Sequence, residues 1–191
     1  MVPLSVEQYH KMIEAGILRE GAPIELLEGF LYRKDRSASG EDPMTVGDEH
    51  GRVVTVLGWL LGGKQDGWHY LTQQPITILP ESEPEPDGSI LRGTPFDYGK
   101  KATPADISCI IEVSDSSIRH DRVKKRKIYA DAGILQYVIV NLVDRVVEVY
   151  SEPVAESGRY GKIETLHKGQ DVQLLLPTGS HLALPVDKIL A

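Results

Sequence analysis

Cysteine is almost absent from this chain: Cys109 stands alone among 191 residues. A single thiol excludes an intramolecular disulfide framework and a cysteine-based zinc site. Aromatic residues make up 6%, and they gather into no cluster that would serve as a sugar platform. No apolar run approaches the roughly 18 residues of a membrane-spanning helix. The stretch Met1 to Ile13 has no signal-peptide hydrophobic core, so the expected location is the cytoplasm. Excess positive charge is also missing, since Lys and Arg number 21 against 28 Asp and Glu, for a net charge of −7. A general nucleic-acid coat needs the opposite balance, although a local basic patch on an acidic body is still allowed. His69, His120, His167 and His181 match no zinc spacing, and Gly62-Gly63-Lys64 lacks the P-loop pattern, so no nucleotide cofactor is expected.

What is present reads as one globular domain over residues 1–191. Residues 4–15 form a helix with Ser5 as N-cap and Gly16 as stop. Ile24 to Tyr32 gives two short strands meeting near Gly29. Residues 33–49 are charged and rich in Gly and Ser, which predicts a mobile loop. From His50 to Leu61 the apolar positions recur at helical spacing. Trp68 to Leu79 gives one or two strands, followed by an acidic, proline-rich turn over 81–88, a short strand at Ser89–Leu91 and a second long loop over 92–105. Ile107 to Val113 is almost continuously apolar, as expected of a strand buried on both faces. A helix over Ile118–Ala132 ends at Gly133, and Ile134 to Val140 is a second buried strand. The turn Asn141–Asp144 leads to an alternating strand at Arg145–Tyr150. Short strands fill the tail, and Val186–Leu190 makes one helical turn. Strand, helix and strand in this order require a crossover, expected to be right-handed. The fold class is α/β (α+β): a mixed sheet flanked by helices, with extra strands at both ends of the chain.

Three residues carry chemistry. Glu112 is a carboxylate near the end of a buried strand, and it must find a proton, a cation or hydrogen-bond donors. A structural salt bridge and a functional site satisfy that need equally. On the following helix, advancing about 100° per residue from Asp121 puts Lys125 at about 40°. Ile128 and Ala132 then fall at about −20° and about +20°, so Lys125 shares the face that packs on the sheet. An ordinary i, i+4 pair of Asp121 with Lys125 on a solvated face is the competing reading. Asp87, in Glu-Pro-Asp-Gly, is by itself a turn residue. Its place just before a short strand, with Glu112 on the next one, turns the set into a hydrolytic kit. Two hard oxygen ligands suit magnesium or manganese, and a lysine stabilises charge that develops on phosphorus.

The segments QQPITI (73–78), SEPEPDGSI (82–90), IIEVSDSSIRHDRVKKRKIYADAGI (110–134) and YVIVNLVDRVVEVYSEP (137–153) resemble the Uma-type restriction endonuclease family of bacterial proteins, within the PD-(D/E)XK nuclease superfamily. IELLEG (24–29) and the helix opening at His50 extend the likeness, which covers most of the chain. The resemblance implies a restriction-endonuclease-like sheet and a hydrolase that cuts DNA with a divalent metal, magnesium or manganese. Asp87 matches the aspartate of the first motif and Glu112 the acidic residue of the second. Ser114 stands where the superfamily lysine is usual. Asp121, Lys125 and Tyr129 match a D–K–Y ladder on the next helix, which implies that Lys125 replaces that lysine. Val113 is implied to lend its backbone carbonyl to the metal. His50, Gln73, Glu25 and Glu28 match supporting positions: His50 to contact phosphate or water, Gln73 to orient Glu112 or water, and the two glutamates as outer carboxylates. A helix cap for His50 and plain turn roles for the glutamates are equally open. The chain departs from the family at Leu135-Gln136-Tyr137-Val138, at Phe30, and at Gly88, which is expected to loosen the turn after Asp87.

The sequence thus points to a metal-dependent DNA endonuclease with Asp87, Glu112 and Lys125 at its centre. A homodimer is expected from the class, with Leu135–Val140 or Val146–Tyr150 as the shared edge. The alternative is a nuclease-fold binding or regulatory module that does not cut, or cuts only with a partner. A two-carboxylate glycosidase fits less well without a sugar platform. Among the remaining residues, His120 is expected to face solvent and Cys109 to fill the core. The basic run Arg119–Lys127 serves equally as a backbone guide or as the wet side of the helix.

Overall fold

A computed structural model describes residues 2–34, 47–63, 66–155 and 157–191. The loop expected over 33–49 lies mostly outside them, as does Lys64. Helix α1 (Val6–Glu14) opens with a full capping box, in which Ser5 and Gln8 each satisfy the other's backbone N–H. Strands β1 (Ile24–Leu27) and β2 (Phe30–Arg33) form a two-stranded hairpin turning at Glu28 and Gly29. Both turn residues have positive φ, 49° and 79°. A side chain at Gly29 would also run into Pro3, which passes within 2.2 Å of where its Cβ would be. Helix α2 (Asp48–Leu61) buries Val53, Val54, Leu57 and Leu61 on one face.

The central sheet holds β3 (Trp68–Thr72), β4 (Gly88–Arg92), β5 (Ile107–Ser114), β6 (Gln136–Asn141), β7 (Val146–Val154) and β8 (Arg159–Leu166), paired in that order. Only β5 and β6 run parallel, and a helix joins them. That helix comprises α3 (Ile118–His120), a π-helical stretch (Asp121–Lys125) and α4 (Arg126–Asp131). Strands β9 (Asp171–Leu175) and β10 (His181–Pro185) form a separate hairpin, followed by α5 (Val186–Ile189). The long loop over 92–105 is braced by two Thr-Pro-x-Asp turns, Thr94–Asp97 and Thr103–Asp106. In each, the aspartate accepts from the threonine N–H and hydroxyl.

All of β5 is buried, as its apolar run requires. Side chains alternate across a strand, so Cys109, Ile111 and Val113 enter one core layer with α2, α5 and the β9–β10 hairpin. Ile110 enters the other layer with Ile128 and Tyr129 of the crossover helix. Glu112 and Ser114 share the parity of Ile110, so the strand aims them at that helix.

Several strand boundaries differ from expectation, two of them by more than two residues at one end. Strand β3 stops at Thr72, because Gln73 takes a positive φ of 48° and ends the extended run. Strand β7 continues past Tyr150 to Val154 alongside β8. The second extension bears on assembly: β6 lies between β5 and β7, and β7 between β6 and β8. Neither Leu135–Val140 nor Val146–Tyr150 is therefore a free edge, which corrects the shared-edge expectation. The sheet's outer strands are β3 and β8.

Candidate active site

The antiparallel register of β4 with β5 ends at Gly88 opposite Ile111. One step further, Asp87 comes to lie against Glu112 and Val113. Asp87 Oδ2 accepts from the Val113 backbone N–H at 2.9 Å and lies 3.1 Å from His50 Nε2. Asp87 Oδ1 accepts from Gln73 Nε2 at 3.2 Å. Burial works against the Asp87 carboxylate, but His50 and the Val113 N–H outweigh it and hold its pKa below the ordinary value. For His50, burial disfavours the charged form, yet Asp87 raises its pKa. His50 Nδ1 is buried without a partner among the described residues. Gln73 thus orients Asp87, rather than the Glu112 or water that the sequence suggested.

Glu112 Oε1 accepts from Lys125 Nζ and from the Tyr129 hydroxyl, both at 2.9 Å. Lys125 Nζ also lies 3.4 Å from Glu25 Oε2 and 3.9 Å from Asp121 Oδ1. All four of these charged groups are buried. Asp121 Oδ2 accepts from the Ser114 and Ser117 hydroxyls, each at 2.7 Å. The rungs Asp121, Lys125 and Tyr129 therefore face Ser114 and Glu112 on β5. The i, i+4 pair of Asp121 with Lys125 is present but buried, not solvated. A π-helical segment carries the first two rungs, and such segments recur at functional sites.

Burial pushes the Glu112 carboxyl up. Lys125 opposes the shift, and Asp121, Asp87 and Glu25 add to it, so its pKa rises to about 8. Burial disfavours the Lys125 ammonium, but Glu112, Glu25 and Asp121 hold it protonated, well above its ordinary pKa. The two directions agree, because several carboxylates share one lysine.

These side chains line a cavity of about 300 Å³. Its described lining carries six acidic side chains (Glu25, Glu85, Asp87, Glu112, Asp115, Asp121) against three Lys and Arg side chains (Arg33, Lys34, Lys125); burial lowers the Lys34 pKa. That surplus of hard oxygen favours a cation. Among the described residues no group of three or more His, Cys, Asp or Glu side chains forms a metal cage. A magnesium-type ion needs none, since one or two carboxylates suffice while it keeps several waters. The donor set of Asp87, Glu112 and the Val113 carbonyl fits such an ion.

A family model, Uma2, described as "Putative restriction endonuclease", matches residues 6–187. The chain belongs to the Uma2 family. Its fold is similar to the crystal structure of a putative nuclease belonging to DUF820 from Anabaena variabilis ATCC 29413. The TM-score is 0.66 over 98% of each chain at 16% identity, a likeness of fold alone. No curated protein matches. Membership of Uma2, whose model is described as a restriction endonuclease, supports a nuclease.

Several residues of this Uma2 cavity escaped the sequence reading. Tyr32, Arg33 and Lys34 reach it from the end of β2, and Glu85 from the acidic turn. Lys34 Nζ donates to the Glu85 carbonyl at 2.9 Å and lies 3.1 Å from its carboxylate. The alternation of FLYR is too short to reveal which side faces a site. His120 is a correction: it lines the cavity, with its ring 5.3 Å from that of Tyr32, instead of facing solvent. The π-helical stretch begins immediately after it, so a regular helical wheel gives no reliable bearing there. Glu25 joins the site but Glu28 does not. Glu28 pairs with Lys127 at 2.8 Å on the surface. Gly88 is not a loosening element, since the Tyr70 hydroxyl passes 2.0 Å from where its Cβ would be. No described helix is long and apolar enough to cross a membrane.

Proposed function

We propose that this chain is a divalent-metal-dependent DNA endonuclease of the PD-(D/E)XK type. Asp87, Glu112 and the Val113 carbonyl hold the cation, magnesium or manganese. When bound, that ion neutralises phosphate charge and lowers the pKa of water. The observation that carries the reading is Lys125 Nζ at 2.9 Å from Glu112 Oε1, in a cavity shared with Asp87.

In this reading each residue has a separate task. Lys125 stays protonated and sets a fixed positive charge where negative charge builds up on the phosphoryl oxygens, without reorganisation at the moment of reaction. Glu25 and Asp121 position Lys125. Tyr129 fixes the rotamer of Glu112 through Oε1. Gln73 and His50 fix Asp87 from two sides, and Arg33 and Lys34 meet the incoming phosphodiester. The assembly proposed is a cytoplasmic homodimer, cutting one strand per subunit.

Calorimetric titration of Mn²⁺ and Mg²⁺ into wild type and Asp87→Ala, paired with plasmid nicking on the same samples, tests this reading. Saturable binding lost in the variant, with metal-dependent nicking by wild type, supports it. Absence of both in wild type rejects it. One observation favours a second reading, a binding or regulatory module that does not cut: Asp87 already has three hydrogen-bond partners.

A further inference from the structure

A second cavity, of about 530 Å³, lies beside β3, an outer strand of the sheet. Unlike the first, it has no carboxylate in its described lining. That lining includes His69, Lys100 and Lys101, on a chain of net charge −7. Lys101 is engaged, with Nζ 2.5 Å from Glu83 Oε1. Lys100 is exposed and forms no ion pair among the described residues. Tyr98 lines the same wall, its ring 5.4 Å from His69 and its hydroxyl donating to the Arg92 carbonyl at 2.8 Å. Two residues before it, Phe96 is 97% exposed.

One chain segment contributes to both cavities. Gln73 lines the first, while its chain neighbours Thr72 and Gln74 line the second. The 92–105 loop is also tied to the ledge that carries Asp87. Thr77 N donates to the Ala102 carbonyl at 2.8 Å, and Lys101 reaches Glu83 on the acidic turn. One exposed ring, Phe96, and one half-buried ring, Tyr98, stand beside the exposed Lys100, while the Asp97 carboxylate between the rings is held by Thr94. An unpaired nucleic-acid strand stacks its bases on such rings and brings its phosphates to such a cation. A duplex hides its base faces and gains nothing from Phe96.

We propose that the second cavity, with Phe96, Tyr98 and Lys100, is a subsite for single-stranded nucleic acid flanking the phosphodiester held in the first cavity. The subsite rests on the nuclease reading for its purpose, but its affinity for a strand is measurable separately. Bases of the strand stack on Phe96 and Tyr98, Lys100 meets a phosphate, and the strand crosses the Gln73–Gln74 ledge.

Fluorescence anisotropy of a labelled oligothymidylate of about twelve nucleotides, with EDTA present, tests it on the full chain. A duplex of equal length is the comparison. The variants are Phe96→Ala, Lys100→Ala and the double. Both side chains are exposed, so the melting temperatures are expected to match wild type. The proposal expects tighter binding of the single strand than of the duplex, and a loss of about tenfold in the double variant. Lys100→Ala is expected to flatten the logarithmic salt dependence by about 0.7. No binding by wild type, preference for the duplex, or equal affinity in the double variant overturns it. Plasmid nicking run in parallel separates the two ideas. Nicking by wild type, with oligonucleotide affinity unmoved by the double substitution, removes the subsite alone. No nicking in any sample, with affinity still falling in the double variant, removes the nuclease reading alone.

Discussion

Lys125 meets Glu112 at 2.9 Å although the two lie thirteen residues apart on different elements. The lysine comes from the crossover helix and not from the strand that carries the glutamate. Removing it leaves Glu112, Glu25 and Asp121 buried beside one another without a counter-charge. Lys125→Ala is expected to destabilise the protein by about 3–5 kcal/mol, the cost of breaking a buried pair. Urea denaturation measures this directly. On the proposed function, nicking also falls by about 10²–10³, as when one transition-state donor is lost. Lys125→Ala with unchanged stability would contradict a stabilising role for the buried pair.

A pH dependence follows from Glu112. Its pKa rises from an ordinary 4.5 to about 8 in the folded state. A folded pKa above the unfolded one gives stability that is complete below pH 4.5 and is lost as pH rises through about 8. Metal-free protein is therefore expected to melt at a higher temperature at mildly acidic pH than at alkaline pH. His50, whose pKa is also raised, adds a slope of the same sign through its own range. Glu112→Gln isolates the glutamate: its melting temperature should vary less across the same window. A Glu112→Gln profile as steep as wild type would assign the whole dependence to other groups.

Most of this fold was legible in the sequence because burial and periodicity coincide. ISCIIEV and ILQYVIV are almost continuously apolar, and Ile107–Ser114 and Gln136–Asn141 are adjacent parallel strands. Ser5 announced an N-cap, which forms. The face of Lys125 could be read because it is shared with the apolar Ile128 and Ala132, and Ile128 is buried. Features that depend on contacts between distant segments could not be read. Nothing around Lys34 announces that Glu85, fifty-one residues away, will receive it. The partner of Gln73 follows from its positive φ, which a glutamine does not advertise. The second cavity is built from residues 69–102, where spacing carries no period at all.

Gly88 and Tyr70 are expected to behave as one unit. The Tyr70 hydroxyl is buried without a hydrogen-bond partner, and its ring occupies the space beside the Gly88 Cα. Tyr70→Phe removes an unsatisfied donor and is expected to be neutral or to stabilise by about 1 kcal/mol. Gly88→Ala drives a methyl group into the ring and is expected to cost about 1–3 kcal/mol. The ring carbons at 2.5 and 2.7 Å remain in Tyr70→Phe, so phenylalanine does not rescue Gly88→Ala. Tyr70→Ala clears the space, and the double variant with Gly88→Ala should be less destabilised than the sum of the two single changes. Additivity in a chemical denaturation cycle would contradict the close approach.

Glu25 and Glu28 looked equivalent in IELLEG, and the fold separates them. Glu25 is buried, accepts from the Glu85 N–H at 3.2 Å and stands 3.4 Å from Lys125. Glu28 forms half-exposed pairs with Lys127 and Lys124. Exposed pairs of this kind are worth about 0–1 kcal/mol, so Glu28→Gln should change stability within that range and leave nicking untouched. Glu25→Gln keeps the shape but removes one of the charges that hold Lys125 protonated and in place. It should lower nicking at saturating DNA with little change in metal affinity, because Glu25 acts through the lysine and not on the cation. Calorimetry and nicking on the two variants decide the matter. Equal effects would place the acidic turn as a whole, and not Glu25 alone, behind the site.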